Sequence, residues 1–141
     1  MKYRQPKIER LGVDREGRTS LHYAAAESDA ALCKTLLSSG LDPNTQDNRG
    51  WAPLHFAAQA TSGEVIALLL GAGATPDIRD MHGNTLLSTA VFSSKGDGSV
   101  IALLRQAGAD PAASNKHGVS PVSLARTIAN YNVAQFFVDV S

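Results

Sequence analysis

Apolar residues recur along this chain at spacings of three and four, and the segments that carry them come in pairs. The first segment of a pair is short and lined by small residues, as in 21–25, whereas the second carries bulkier side chains, as in 65–70. Since about 3.6 residues complete a helical turn, such spacings place the apolar side chains on one face of a helix. The pattern therefore predicts an all-α chain in which short and longer helices alternate.

The paired segments repeat at a nearly constant interval. The turn-and-helix start at 14–22 returns 33 residues later at 47–55, again 33 residues later at 80–88, and 35 residues later at 115–123. A fixed period of roughly 20 to 50 residues is typical of stacked repeat arrays. The spacing predicts repeats at about 14–46, 47–79, 80–114 and 115–141.

Turn and capping residues occupy the same places in each copy. A glycine follows the opening Asp or Asn by three residues, where a backbone with positive φ would exclude a side chain; these are Gly17, Gly50, Gly83 and Gly118. Thr19, Thr85 and Ser120 suit helix N-caps, and Pro53 and Pro121 suit the first helical position. A glycine ends each of the first three longer helices, at Gly40, Gly73 and Gly108.

This arrangement, with its Thr-Pro-Leu-His-type motif best seen at 52–55, resembles the ankyrin repeat over residues 14–138. The resemblance implies an all-α ankyrin repeat solenoid, in which helix-turn-helix units stack and hairpin-like fingers project between them. It also implies a repeat domain over 14–141, preceded by a lead-in and partial cap over 1–13. The third copy departs from the pattern, because Ser88 replaces the usual His and residues 93–99 contain a two-residue insertion.

Composition and charge argue against several classes of protein. The chain has 43% hydrophobic and 18% charged residues, which favours a folded protein, and its formal net charge of zero gives no electrostatic case for nucleic acid. The apolar run at 65–70 is far shorter than the roughly 20 residues of a membrane span, and Cys33 is the only cysteine. We expect a monomeric cytoplasmic protein that binds neither nucleic acid nor membrane.

The sequence contains few residues that could form a catalytic, metal-binding or cofactor-binding site. No two histidines have metal-ligand spacing, and the resemblance implies that His22 and His55 make structural hydrogen bonds to the backbone. The glycines at 71–73 align with the ends of the other longer helices, so a helix cap is favoured over a phosphate-binding turn. We expect no cofactor and no enzymatic activity. The alternative is a small-ligand or nucleotide binder, or an enzyme, that uses the Gly-rich loop at 93–99.

The resemblance implies that a protein partner binds the concave surface formed by the finger tips and the short helices, which we call the finger face. Position by position, the candidate partner-binding residues are Arg15, Glu16, Arg18, Asn48, Arg49, Trp51, Gln59, Met81, His82, Asn84, Phe92, Lys116 and His117. Trp51 is the most informative of these candidates, because Trp and Arg are enriched at binding hot spots. The alternatives are that Trp51 packs on a neighbouring finger and that Phe92 turns inward beside the insertion.

A small stand-alone array of this kind suits an inhibitor, a regulator or an adaptor. One specific version is a neutralising, immunity-type partner of a toxin or an enzyme. These roles are hypotheses, because the repeat pattern carries no information about the partner's identity.

Overall fold

The computed structural model describes residues 12–140, which contain helices and no strand; one isolated antiparallel bridge joins Arg79 and Thr85. The helices are α1 (Ser20–Ala26), α2 (Ala30–Ser38), α3 (Pro53–Gln59), α4 (Gly63–Gly71), α5 (Leu86–Ser93), α6 (Ser99–Gln106) and α7 (Pro121–Thr127), followed by a 3-10 helix (Val133–Phe137). The predicted all-α class is confirmed. The predicted lead-in over 1–13 lies mostly outside the described residues, as does Ser141.

The short helices begin as the sequence predicts. The Thr19 hydroxyl accepts a hydrogen bond from the Leu21 amide at 3.2 Å, and the Ser120 hydroxyl accepts one from the Ser123 amide at 3.1 Å. The cap position of α3 is Ala52, which has no hydroxyl. Its amide instead donates to Nδ1 of His55 at 3.0 Å, and Pro53 occupies the first helical position. Each cap satisfies polar groups that a helix start leaves without an intrahelical partner.

The fingers contact one another through their backbones, and this contact explains the glycine at each turn. Gly50 has φ +80°, and a Cβ atom built on it would lie 2.8 Å from the amide nitrogen of Met81 on the next finger. That amide donates to the carbonyl of Arg49 at 2.9 Å. A side chain at position 50 would therefore strain its own backbone and push the next finger away.

The helices form two layers with the core between them. The short helices α1, α3, α5 and α7 pack in succession, and the longer helices α2, α4 and α6 pack behind them. Small residues of the short helices, such as Ala24 and Ala57, are fully buried, so neighbouring units approach closely. Larger residues such as Leu54 and Leu69 fill the space between the layers. None of the helices within 12–140 is long and apolar enough to cross a membrane.

The last unit differs from the expectation of a second longer helix. Only the five-residue 3-10 helix Val133–Phe137 forms there, and its cap residue Asn132 makes no side-chain hydrogen bond to it. Val133 and Phe137 still bury their side chains against the core. Nη1 of Arg105 binds the Phe136 carbonyl at 3.0 Å and so holds this helix to α6. A missing side-chain cap does not by itself explain the shortening, since α6 also lacks one and is a full α-helix, and nothing else in the structure explains it.

Candidate functional site

A cavity of about 340 Å³ opens on the finger face. The fingers contribute Trp51, Asp80, Asn84 and Asn115 to its lining, and the short helices contribute residues such as Gln59 and Phe92. The cavity thus lies where the second, third and fourth fingers meet α3, α5 and α7. We call it the finger cavity.

The serine at position 88 lines this cavity, at a position where the first two units have a histidine. In the first unit His22 occupies the equivalent place, where its Nδ1 accepts from the Thr19 amide at 2.9 Å and its Nε2 lies 2.9 Å from the Trp51 carbonyl. His55 fills the same place in the second unit and is fully buried. Ser88 has no ring to fill this space, and it lines the finger cavity. A departure from the repeat pattern thus coincides with the cavity.

Both histidines have the structural hydrogen bonds that the resemblance implied, with one difference. Nδ1 of His55 accepts from the Ala52 amide, so the ring proton is assigned to Nε2, which has no hydrogen-bond partner among the described residues. Burial lowers the pKa of His55 to about 4, and the carboxylate of Asp80 opposes this shift only in part. The imidazole is therefore neutral at physiological pH.

Trp51 packs on the short helix α3 of its own unit and also lines the cavity. Its ring stacks on His55 with centroids 5.3 Å apart and meets Phe56 edge-on at 5.0 Å. The guanidinium of Arg49 lies 5.8 Å from the Trp51 ring centroid. The indole Nε1 donates to Oδ2 of Asp80 at 3.4 Å. The structure therefore gives Trp51 a packing role, but mainly on its own short helix rather than on a neighbouring finger as the alternative interpretation had it, and the residue also lines the cavity.

Three other candidate residues hold the fingers together. Nε of Arg18 pairs with Oδ2 of Asp47 at 3.1 Å, and the Asp47 side chain is only 1% exposed. Asn48 donates through Nδ2 to the carbonyl of Arg15 at 2.9 Å. Oδ1 of Asn84 accepts from a side-chain amide of the fourth finger at 2.7 Å. These contacts give Arg18, Asn48 and Asn84 an intramolecular role that the repeat pattern did not predict.

Most of the other candidates are surface residues. Phe92 is 79% exposed, so it does not turn inward, and Met81 is 50% exposed. Gln59 is exposed at the end of α3. The tip residues Arg15, Glu16, Arg49, His82, Lys116 and His117 are also exposed, but they lie outside the cavity lining. Of the candidates, the cavity unites Trp51, Gln59, Asn84 and Phe92.

Sequence reasoning missed the contribution of Asp80 and Ser88 to this site. Asp80 was visible only as the residue that opens the third turn, in register with Asp14 and Asp47. Ser88 was visible as a departure from the motif. Only for Ser88 was the signal a difference between equivalent positions of the repeats.

The Gly-rich loop at 93–99 packs against the last unit. The Tyr131 ring lies 3.1 Å from where a Cβ atom on Gly96 would stand, and a Cβ on Gly98 would clash with the ring of Phe136. These contacts explain both glycines by close packing. The described residues contain no cluster of three or more His, Cys, Asp or Glu side chains able to hold a metal ion.

Comparison with known families agrees with the geometry. A sequence model of ankyrin repeats, in three copies, matches residues 21–115. The chain therefore belongs to the ankyrin repeat family, whose members are generally protein–protein interaction modules and typically have no enzymatic activity. A search of curated proteins finds none that matches this chain. The count of four repeats stays a prediction, since the last unit lies beyond the match.

Proposed function

We propose that this protein binds a protein partner through the finger cavity and its rim. The observation that supports this most directly is Phe92, whose ring is 79% exposed beside an open cavity. Apolar surface that forms a patch rimmed by polar residues often marks an interaction site, and Phe92 shares the cavity lining with Trp51, Val119 and Leu124. Burying such a ring against a partner would be worth about 1.5–3 kcal/mol.

The cavity has the composition of an interface centre. Trp51 and Phe92 offer aromatic surface, while Gln59 and Asn84 offer side-chain amides that orient a partner through hydrogen bonds. Trp51 is held by its stack on His55, so little conformational entropy is lost when a partner contacts it. Rigid aromatic residues surrounded by polar groups are typical of binding hot spots.

In this proposal the protein acts as a cytoplasmic monomer that regulates its partner without carrying out catalysis. Inhibition or neutralisation of a toxin or an enzyme is one specific form of that role. An open cavity of about 340 Å³ is large enough for one or two partner side chains, so it would anchor a contact that the finger tips then extend.

Affinity purification from the source cell, with the chain as bait, tests the proposal. Phe92→Ala removes an exposed ring and should leave the fold intact while the principal partner is lost. Val138→Ala is the matched control, because Val138 is 84% exposed and lies outside the cavity lining. Circular dichroism and thermal unfolding verify that both variants are folded. Equal recovery of the partner by the Phe92→Ala variant would refute the site.

A further inference from the structure

Asp80 differs from the residues at the three equivalent turn positions. Asp14 accepts a hydrogen bond from the Tyr23 hydroxyl, and Asp47 forms an ion pair with Arg18. Asn115 carries no charge. Asp80 carries a charge but forms no ion pair with any residue of 12–140. Asp47 pairs with Arg18 of the preceding unit. The position equivalent to Arg18 that faces Asp80 is 51, and it holds Trp, which cannot form an ion pair.

The contacts of Asp80 leave one oxygen with acceptor capacity. Its Oδ1 accepts from the amides of His82 and Asn84 at 2.9 and 3.0 Å, as the turn requires. Its Oδ2 accepts hydrogen bonds only from Nε1 of Trp51 and Nδ2 of Asn84, both at 3.4 Å. These distances exceed the usual 2.9–3.0 Å of an N–H···O hydrogen bond. A stronger donor that entered the finger cavity would find an incompletely satisfied carboxylate oxygen.

Arg79, which precedes Asp80 in the sequence, and Arg49, on the adjoining finger, contact other groups. Nη1 of Arg79 donates to the carbonyls of Gly83 and Ser114 at 3.1 and 2.8 Å. The guanidinium of Arg49 lies over the Trp51 ring. Neither is within ion-pair distance of the Asp80 carboxylate.

We propose that the finger cavity receives a basic side chain of the protein partner, with its charged group on Oδ2 of Asp80 and its aliphatic stem against Phe92. This inference rests on the proposed function and specifies the chemistry of the partner. Arginine fits better than lysine, because its planar guanidinium can bind a carboxylate and stack on an aromatic ring at the same time. The cavity supplies both groups.

The finger tips add a second requirement for the partner. Arg49 and Lys116 are exposed beyond the cavity and form no ion pair within 12–140. Their charges repel a uniformly basic segment, although salt screens exposed charges beyond about 10 Å. A partner segment with one basic residue flanked by acidic residues would complement the cavity and the tips together.

The test uses the indole N–H signal of Trp51, which is the chain's only tryptophan and lies beside Asp80. The full chain, labelled with ¹⁵N, is titrated with a capped Gly-Gly-Arg-Gly-Gly peptide and with the same peptide carrying neutral citrulline. The arginine peptide should shift the indole signal with an affinity about tenfold higher than the citrulline peptide, as expected when a hydrogen bond to a charged group replaces a neutral one. Added salt should reduce this ratio.

The variant Asp80→Asn should reduce the arginine-to-citrulline ratio to about one. Asparagine can form this turn, because Oδ1 of Asn115 accepts from the amides of His117 and Val119 in the fourth unit. Asp77→Asn is the matched control, since it removes a nearby exposed charge, three residues from Asp80 and outside the cavity lining, and should keep the tenfold preference.

The outcomes separate this inference from the proposed function. Equal affinity for the two peptides, an arginine preference that survives Asp80→Asn, or no shift of the indole signal by either peptide would overturn the basic-side-chain inference. The proposed function would still stand if Phe92→Ala abolished recovery of the partner. If partner recovery did not depend on Phe92, both the proposed function and the basic-side-chain inference would be refuted.

Discussion

Acidification to about pH 5 should destabilise this protein through His55. The residue is fully buried, and its pKa is about 4 in the folded state against 6.5 for an ordinary histidine. Between these values the unfolded chain binds more protons than the folded chain, so stability falls as the pH falls. The stabilisation is complete above about pH 6.5 and is lost progressively below it.

The expected size of the effect follows from the two pKa values. Since one pKa unit corresponds to about 1.4 kcal/mol, a folded-state pKa of about 4 implies a loss of about 2 kcal/mol between about pH 8 and pH 5. The structural cause is the helix start: protonation at Nδ1 would remove the acceptor for the Ala52 amide at 3.0 Å. His22, whose pKa burial also lowers, adds to the slope in the same direction.

Urea unfolding followed by circular dichroism across this pH range measures the effect. The comparison variant is His55→Ser, because serine stands at the equivalent position 88 of the third unit. That variant should be less stable near neutral pH and should lose about 2 kcal/mol less than the original chain on acidification. The matched control is His82→Gln, which replaces a histidine at an exposed finger tip. Equal slopes for the original chain and His55→Ser would refute the reasoning.

The remaining predictions concern the fingers and the last unit. Arg18→Ala should cost about 3 kcal/mol in urea unfolding, since it leaves the buried Asp47 carboxylate without its ion pair. Gly50→Ala should destabilise more than Gly40→Ala, because both have positive φ but only position 50 lies against the next finger; equal losses would contradict this. Arg105→Ala should speed amide hydrogen exchange in 133–140 and leave exchange in the first units unchanged.

Helix positions and caps could be predicted from the sequence because they depend on local chemistry. Thr19 and Ser120 cap their helices through contacts only two or three residues away, and Gly50 adopts the positive φ that its place in the turn requires. The repeat made each assignment stronger, because the same residue type appeared at the same place in several units. Local signals of this kind survive in the folded structure with little change.

The candidate site was harder to predict because it depends on contacts between units. Asn48 looks like a free surface residue in the sequence, yet it binds the carbonyl of Arg15, 33 positions earlier. Ser88 lines the finger cavity where the first two units have a histidine, and whether the turn carboxylate has an ion-pair partner depends on which residue the preceding unit places at the position of Arg18 or Trp51. Such properties belong to pairs of units, so the pattern of a single unit does not reveal them.

The last unit shows the same limitation. The apolar spacing of Val133 and Phe137 suited an α-helix, and both side chains are buried as expected. The backbone nevertheless forms a short 3-10 helix whose cap residue makes no side-chain hydrogen bond to it. Apolar periodicity identifies the buried side of a segment but does not by itself determine whether a full α-helix forms there.

The central claim is that a protein partner occupies the finger cavity, and its most direct test is an NMR footprint of the complex. The ¹⁵N-labelled chain is mixed with the unlabelled partner obtained by affinity purification. We predict that the Trp51 indole signal, the Gln59 side-chain amide and the backbone amide of Phe92 shift or broaden, while exposed positions on the longer helices, such as Lys34 and Ala67, stay unchanged. Changes confined to the longer helices would contradict the account.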